Sequence, residues 1–260
     1  MKIMALNLNF YEGKHGPWPL RRDLIADAIR ACRPDVIAFQ AVRKDPGVES
    51  GKDQATQLAE RLPEYPHVVF QPAGDLGEGK QDGSAFLARI ALTDVGFQPL
   101  KRGTDRPGES PDPAARIVLH ARIASSSLSL FNSHYSWVDS QAASNVEDAL
   151  AYMNRFTGPR LLLGDLNTTP DTDAMHRLTA EGWTDAWAAL RPGENGYTFE
   201  SDKPEKRIDY AWASRELRPY LKAVELVLEK PNRHAARLSD HLGLLVTLDD
   251  PSGNSTRRFR

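Results

Sequence analysis

The residues in this chain best suited to chemistry are Asp165 and Asn167, two positions apart beyond the apolar run Leu161-Leu162-Leu163. A run of that length between Arg160 and Gly164 has the flanks of a buried strand rather than a helix. Gly164 loosens the backbone at its end, and Thr168-Thr169-Pro170 turns the chain away. If the backbone stays extended, side chains two apart share a face. An acceptor-only carboxylate and a donor–acceptor amide then converge on one point, which is the form of a catalytic edge. A polar turn with Asx-type capping accounts for the same residues, and these residues alone do not separate the two readings.

The same punctuation recurs along the chain. Asn7 and Asn9, Gln40, Asn132 and His134, Asp209, and Asp240 with His241 all stand where predicted strands stop. Singly, each has an ordinary role. The asparagines cap turns, Asp209 pairs with Arg207 or Lys206, and His134 is a satisfied buried histidine. As a set they offer hard oxygen donors for a magnesium-like ion and imidazoles for phosphate oxygens. That composition suits metal-assisted displacement at phosphorus.

The elements that must position these residues read as α/β. Lys2 to Asn9 alternates as a strand, and Leu20 to Cys32 repeats at helical spacing until Pro34 stops it. Asp35 to Gln40 reads as a second buried strand, Asp53 to Leu62 as a short amphipathic helix, and Val68 to Phe70 as a strand. A β-rich middle follows, with strands over 84–87, 95–100, 117–123 and 128–133, and then a helix over 141–156. After the Leu161 strand come a helix from about Thr172 to Glu181 and strands over 208–213, 223–228 and 241–248. Many short strands between helix pairs fit two packed sheets better than one parallel sheet. No repeat or linker divides the chain, so residues 1–250 read as one domain and 251–260 as a disordered polar tail.

Composition narrows the function classes. The chain has 260 residues, 40% hydrophobic and 26% charged, which is enough for a sizeable core. A net charge of −2 and the lack of a Lys/Arg-dense stretch argue against a processive or duplex-binding nuclease. Cys32 is the only cysteine, which excludes an internal disulfide and a cysteine zinc site; it falls on a helix's apolar side. No apolar run approaches the ~20 residues of a membrane span, and no signal peptide opens the chain, so a cytoplasmic location is expected.

In their order, these motifs resemble the endonuclease/exonuclease/phosphatase (DNase I-like) superfamily. The resemblance covers roughly residues 1–248 and rests on Ala5-Leu6-Asn7, Ser133-His134, Gly164-Asp165-Leu166-Asn167, Arg207-Ile208-Asp209-Tyr210 and Ser239-Asp240-His241. Each motif is weak alone; five in order are specific. The resemblance implies a four-layer α/β/β/α sandwich of two packed, mostly antiparallel sheets flanked by helices, with the site at one end. It implies Asp165 as the general base on water and Asn167 as a holder of the nucleophile or a phosphate oxygen. Asp209 would orient His241, and His241 with His134 would meet phosphate oxygens in the transition state. Asn7 and Asp240 would help to bind Mg2+ or Mn2+, and Asn9, Asn167, His134 and Arg116 would contact substrate.

One position departs from that pattern. The family's second strand ends Gln-Glu, and that Glu is the principal metal ligand; here Gln40 is followed by Ala41. A methyl group binds no cation, so ion affinity should fall and the activity should be impaired. Three explanations compete: a substitution made to inactivate the protein, natural loss of catalysis, or a replacement ligand from Gln40, Glu49 or Asp53. The intact remaining motifs favour the first.

The expected function is a metal-dependent phosphoesterase, a phosphodiesterase before a monoesterase. Its substrate would be a small phosphodiester, a lipid head group or a nucleic-acid end, with no obligate protein partner. A phosphate-binding module without catalysis and a DNA-repair endonuclease are the alternatives. Tyr135 and Trp137 flank His134 and are the aromatics expected at a cleft, whereas Trp183 and Trp187 read as core. The loops 102–116 and 74–83, the latter with Glu78 and Lys80, could border the site. Arg257, Arg258 and Arg260 read as a solvated tail.

Overall fold

The computed structural model describes residues 1–103, 108, 110–227 and 236–249; the expected tail lies outside them. The chain opens with β1 (Lys2–Asn7), α1 (Trp18–Cys32), β2 (Val36–Lys44) and α2 (Gln54–Ala59). It continues through β3 (His67–Asp75), β4 (Gln81–Ala88), β5 (Leu92–Leu100), β6 (Arg116–Ile123) and β7 (Ser129–His134) to α3 (Asp139–Met153). The last third holds β8 (Arg160–Asp165), α4 (Asp173–Ala180), β9 (Thr184–Asp185) and α5 (Ala186–Leu190). It ends with β10 (Asp209–Ala213), β11 (Leu221–Val227) and β12 (Gly243–Leu248).

Local chemistry sets the helix ends. Pro19 occupies the first turn of α1, where a missing N–H costs nothing. Arg33 closes that helix in the left-handed region at φ 49°, returning its N–H to the Ile29 carbonyl, and Pro34 forbids continuation. Asp53 caps α2 by accepting the Thr56 N–H at 3.0 Å, and Thr172 caps α4. The residues 184–190, which form β9 and α5, went unread in the sequence because both elements are too short to show a period.

Two six-stranded sheets result, ordered β11-β12-β1-β2-β4-β3 and β5-β6-β7-β8-β10-β9. All neighbours are antiparallel except one central pair in each sheet, β1 with β2 and β7 with β8. Alternation decides the layers. Ile3, Ala38, Phe86, Leu130, Leu163 and Val246 point between the sheets. Met4, Ile37 and Leu87 pack on α1 and α2, while Phe131, Leu162 and Trp212 pack on α3 and α4. The architecture is therefore the α/β/β/α sandwich. Cys32 is partly buried against the α1 layer.

Gly164 is the tightest point of the second sheet. Its φ is 145°, and a Cβ there would overlap the Ser133 carbonyl oxygen on the parallel neighbour strand. Asn132 fastens one sheet to the other. Fully buried, it donates to the carbonyls of Phe39 and Ala85, both at 2.9 Å, and accepts from Gln40 Nε2 at 2.7 Å. Asn132 thus serves the sheet stack, not a ligand.

Candidate active site

The two parallel pairs bring four strand ends together. Parallel neighbours finish on the same side, so β1 and β2 deliver Asn7 and Gln40 where β7 and β8 deliver His134 and Asp165. Ligand sites in parallel sheets gather at such carboxyl ends. Asn7 Nδ2 donates to Asp165 Oδ2 at 2.9 Å, bridging the two sheets at the rim.

The Asp165 stretch forms the polar turn. Asp165 Oδ1 accepts the Asn167 N–H at 2.9 Å, an Asx turn, and Asn167 sits at φ 53°. The backbone is therefore not extended there, contrary to the shared-face expectation. Asn167 is instead aimed by its own amide, which donates to the Tyr135 carbonyl at 2.9 Å. β1 ends the same way: Asn7 Oδ1 accepts the Asn9 N–H at 2.7 Å, and Asn9 turns off the strand at φ 51°. Asn9 does not share a strand face with Asn7, although it stays in the turn at the rim.

Asp165 is 1% exposed and faces two imidazoles. His134 Nε2 lies 3.4 Å and His241 Nε2 3.6 Å from its Oδ2. Burial pushes its carboxyl up to about 6, with His241 pulling down and Asp209 pushing up. His241 Nδ1 lies 2.8 Å from Asp209 Oδ2, and the Phe199 ring lies 4.9 Å from its own. Burial opposes the charged ring, but Asp209 and Asp165 outweigh it and raise His241 to about 10. His134 goes the other way, held well below its usual range by burial and by Arg116 and His241. One imidazole is charged and the other neutral, each set by its neighbours.

Arg207, an expected partner of Asp209, is occupied elsewhere, and Asp209 meets His241. Arg207 pairs with Asp185 Oδ2 at 2.6 Å and lies 4.8 Å over the Tyr210 ring. Asp240 lies beside the histidine, its Oδ1 3.9 Å from Nε2 and 3.1 Å from Ser239 Oγ. Ser239 in turn donates to the Asn7 carbonyl at 2.6 Å.

Residue 41 is delivered to the same rim by a β-bulge. Phe39 pairs with Ala85 and Val42 with Gly83, so Gln40 and Ala41 together oppose Ser84. Phe39 and Val42 both pack toward α1 and α2, which turns the two residues between them toward the opposite sheet. Ala41 sits in the left-handed region at φ 49° and is 3% exposed. Its methyl lines a small cavity with Ala73, Asp82, Ser84, Arg116 and His134. Arg116 is fixed there by Asp112 Oδ2, at 3.1 Å from Nε and 2.7 Å from Nη2.

Several expected residues lie elsewhere. Glu49 pairs with Arg22 at 2.8 Å and Asp53 caps α2, so neither is free to replace a carboxylate at position 41. Tyr135 is fully buried core, as are Trp183 and Trp187, whereas Trp137 is 55% exposed. Glu78 pairs with Lys80 in an exposed loop. Asp82, Asp112 and Phe199 were not read from the sequence. Asp82 and Phe199 lie in runs with no Asp-x-Asn or Asp-His signature, and Asp112 lies in a polar loop.

The donor chemistry suits a hard divalent ion. Among the described residues, Gln40 Oε1 and Asp209 Oδ1 are buried with no hydrogen-bond partner, and ligand atoms of Asp165, Asp209 and His241 lie within 4.8 Å of one another. Oxygens from Asn7, Asp165, Asp209 and Asp240 surround the rim, the ligand type that such cations take.

Known proteins share this fold. A structure from Leptotrichia buccalis of an endonuclease/exonuclease/phosphatase family protein has a TM-score of 0.75 at 20% identity, covering 96% of this chain and 100% of that one. A mannosyl-6-phosphatase from Bacteroides thetaiotaomicron has a TM-score of 0.72 at 19% identity, covering 96% and 100%. A 3' phosphatase from Neisseria, bound to product DNA hairpin, has a TM-score of 0.70 at 20% identity, covering 96% and 100%. No curated protein matches the sequence. Among the described residues, no helix is long and apolar enough to cross a membrane. The Endonuclease/Exonuclease/phosphatase family matches residues 4–241, spanning every rim residue from Asn7 to His241, and the chain belongs to that family of phosphate-ester hydrolases.

Proposed function

We propose that the chain hydrolyses phosphate esters by attack of water on phosphorus, assisted by a divalent cation, with a phosphodiester as the preferred class. The observation that carries this reading is the setting of Asp165. It is a buried carboxylate oriented by Asn7 and the Asn167 N–H, and it is faced by two imidazoles of opposite charge state. A carboxyl near 6 is a base matched to neutral pH, and it takes the proton from the attacking water. Asn167 spends one amide hydrogen on Tyr135, leaving its carbonyl and other hydrogen for the nucleophile or a phosphate oxygen.

His241, charged by Asp209, donates to a phosphoryl oxygen as negative charge builds there. Neutral His134 gives a second contact, Arg116 a third from the cavity wall, and Asn9 a fourth from its turn. Mg2+ or Mn2+ held by Asn7 and Asp240 would supply charge neutralisation at the phosphoryl group. Asp82, Asp165, Asp209 and Asp240 make the rim rich in carboxylates, which disfavours a dianionic monoester relative to a monoanionic diester. Ala41 lowers cation affinity relative to a glutamate and so lowers the rate. The phosphatases among the similar structures support ester hydrolysis at this kind of rim and keep monoesters under test.

The test is a panel of aryl phosphodiesters, aryl monoesters, lipid head groups and nucleic-acid ends, run with Mg2+ and with Mn2+. Turnover should favour a diester, vanish with chelator, and fall about 10²–10⁴-fold in Asp165→Asn. Ala41→Glu should raise the rate at limiting cation. Phosphate esters bound but not turned over, by this chain and by Ala41→Glu alike, would replace the hydrolase with a binding module.

A further inference from the structure

Position 41 carries a methyl group, and the wall of the cavity it borders also holds a carboxylate, Asp82. β4 carries Phe86 and Ala88 into the space between the sheets. Two-residue periodicity therefore puts Ser84 and Asp82 on that same face, further toward the rim. Both line the cavity that the Ala41 methyl borders. β4 meets an irregularity on either side: Gln40 and Ala41 oppose Ser84 on β2, and Ala73 is the extra residue on β3 between Pro72 and Gly74. Bulges re-aim side chains beside sites, and here two of them frame one acid.

That acid is not used by the fold. Among the described residues Asp82 has no ion pair, although two guanidinium groups are close enough to act on it. Arg116 is taken by Asp112, and Arg43 lies 4.5 Å over the Phe10 ring. Apart from its own backbone N–H, this half-buried carboxylate beside a small cavity has no hydrogen-bond or ion-pair partner among the described residues, and the cations near it are engaged elsewhere. The floor of the cavity is a methyl, so the space that a longer side chain would fill is left to the acid opposite.

We propose that Asp82 is a further carboxylate ligand of the divalent cation in this chain, supplied from across the bulge at the cavity beside Ala41. The inference rests on the cation-assisted reading above. Mg2+ sites use one or two carboxylates, so a carboxylate supplied by β4 in place of one on β2 keeps the charge count.

Mn2+ titrated into the whole chain and followed by electron paramagnetic resonance reads binding without turnover. Asp82→Asn should weaken Mn2+ binding about 10–100-fold, and Ala41→Glu placed in the Asp82→Asn background should restore it. Circular dichroism checks the fold of each variant; Asp82→Ser gives a second substitution if the amide misfolds. Equal Mn2+ binding by this chain and by a folded Asp82 variant overturns the inference. Failure of this chain to bind Mn2+ while it still turns over the ester panel also overturns it, and leaves ester hydrolysis standing. Failure both to bind the ion and to turn over any ester overturns the functional reading together with this one.

Discussion

Asp209 and His241 meet at 2.8 Å from opposite sheets: Asp209 opens β10 in one, and His241 precedes β12 in the other. The bond holds the imidazole at the rim and keeps it charged, so the stacking of the sheets and the charge state of the site depend on each other. Asp209→Asn keeps the shape and removes the charge. Turnover of the preferred ester should fall about 10²–10⁴-fold, with KM changed far less. The His241 ring, followed by nitrogen NMR, should titrate well below its value in the unmodified chain. An unchanged ring titration would show that Asp209 does not set the charge.

Arg116 is held by Asp112, a residue that lies outside any site motif. Asp112→Asn removes the ion pair and frees the guanidinium. Since Arg116 would hold the phosphate in ground and transition states alike, the loss should raise KM about tenfold and leave kcat nearly constant. Steady-state kinetics on the diester separates the two constants.

Asn132 is the polar fastener of the stack. Asn132→Ala removes one of the two acceptors of Gln40 Nε2, leaving the Ala38 carbonyl, and removes two hydrogen bonds to buried carbonyls. The expected loss is about 3 kcal/mol, read from urea unfolding. A loss under 1 kcal/mol would mean that apolar packing alone holds the sheets together.

His120 gives the fold an acid limb. It is buried against Phe131 and Phe156, and burial, aided by Arg122, lowers its pKa to about 4. Below about 6.5 the unfolded chain takes up a proton that the folded chain refuses. Its contribution is therefore complete at pH 7 and is lost as pH falls from about 6.5 to about 4. His120→Phe should remove about 2–3 kcal/mol of that decline. Urea midpoints of both proteins at pH 7 and pH 4.5 test it. Asp165 and His241 also titrate, but equally in both proteins, so the difference isolates His120.

The sequence by itself determined most of the strands and helices, because alternation and helical spacing are local and follow from which faces must leave water; the four-layer sandwich followed from the family resemblance of its motifs. It also determined the chemistry-bearing types: Asn7, His134, Asp165, Asp209 and His241 stand at strand ends, where turn residues mark them. Only the tertiary structure decided which of these ends meet. Asn132 looks like a rim residue in one dimension, yet it lies buried between the sheets, and nothing local tells a strand's last inward residue from its first exposed one. The rest was decided by register. A bulge turns Ala41 toward the opposite sheet, and two-residue alternation on another strand brings Asp82 to the same cavity. Bulges and pairing are properties of strand neighbours some forty residues apart, so neither could be read from residues 39–42 alone. Asp165 keeps the place its motif gave it, but its aim comes from an Asx turn and from Asn7 across the stack, contacts that exist only once both sheets have formed.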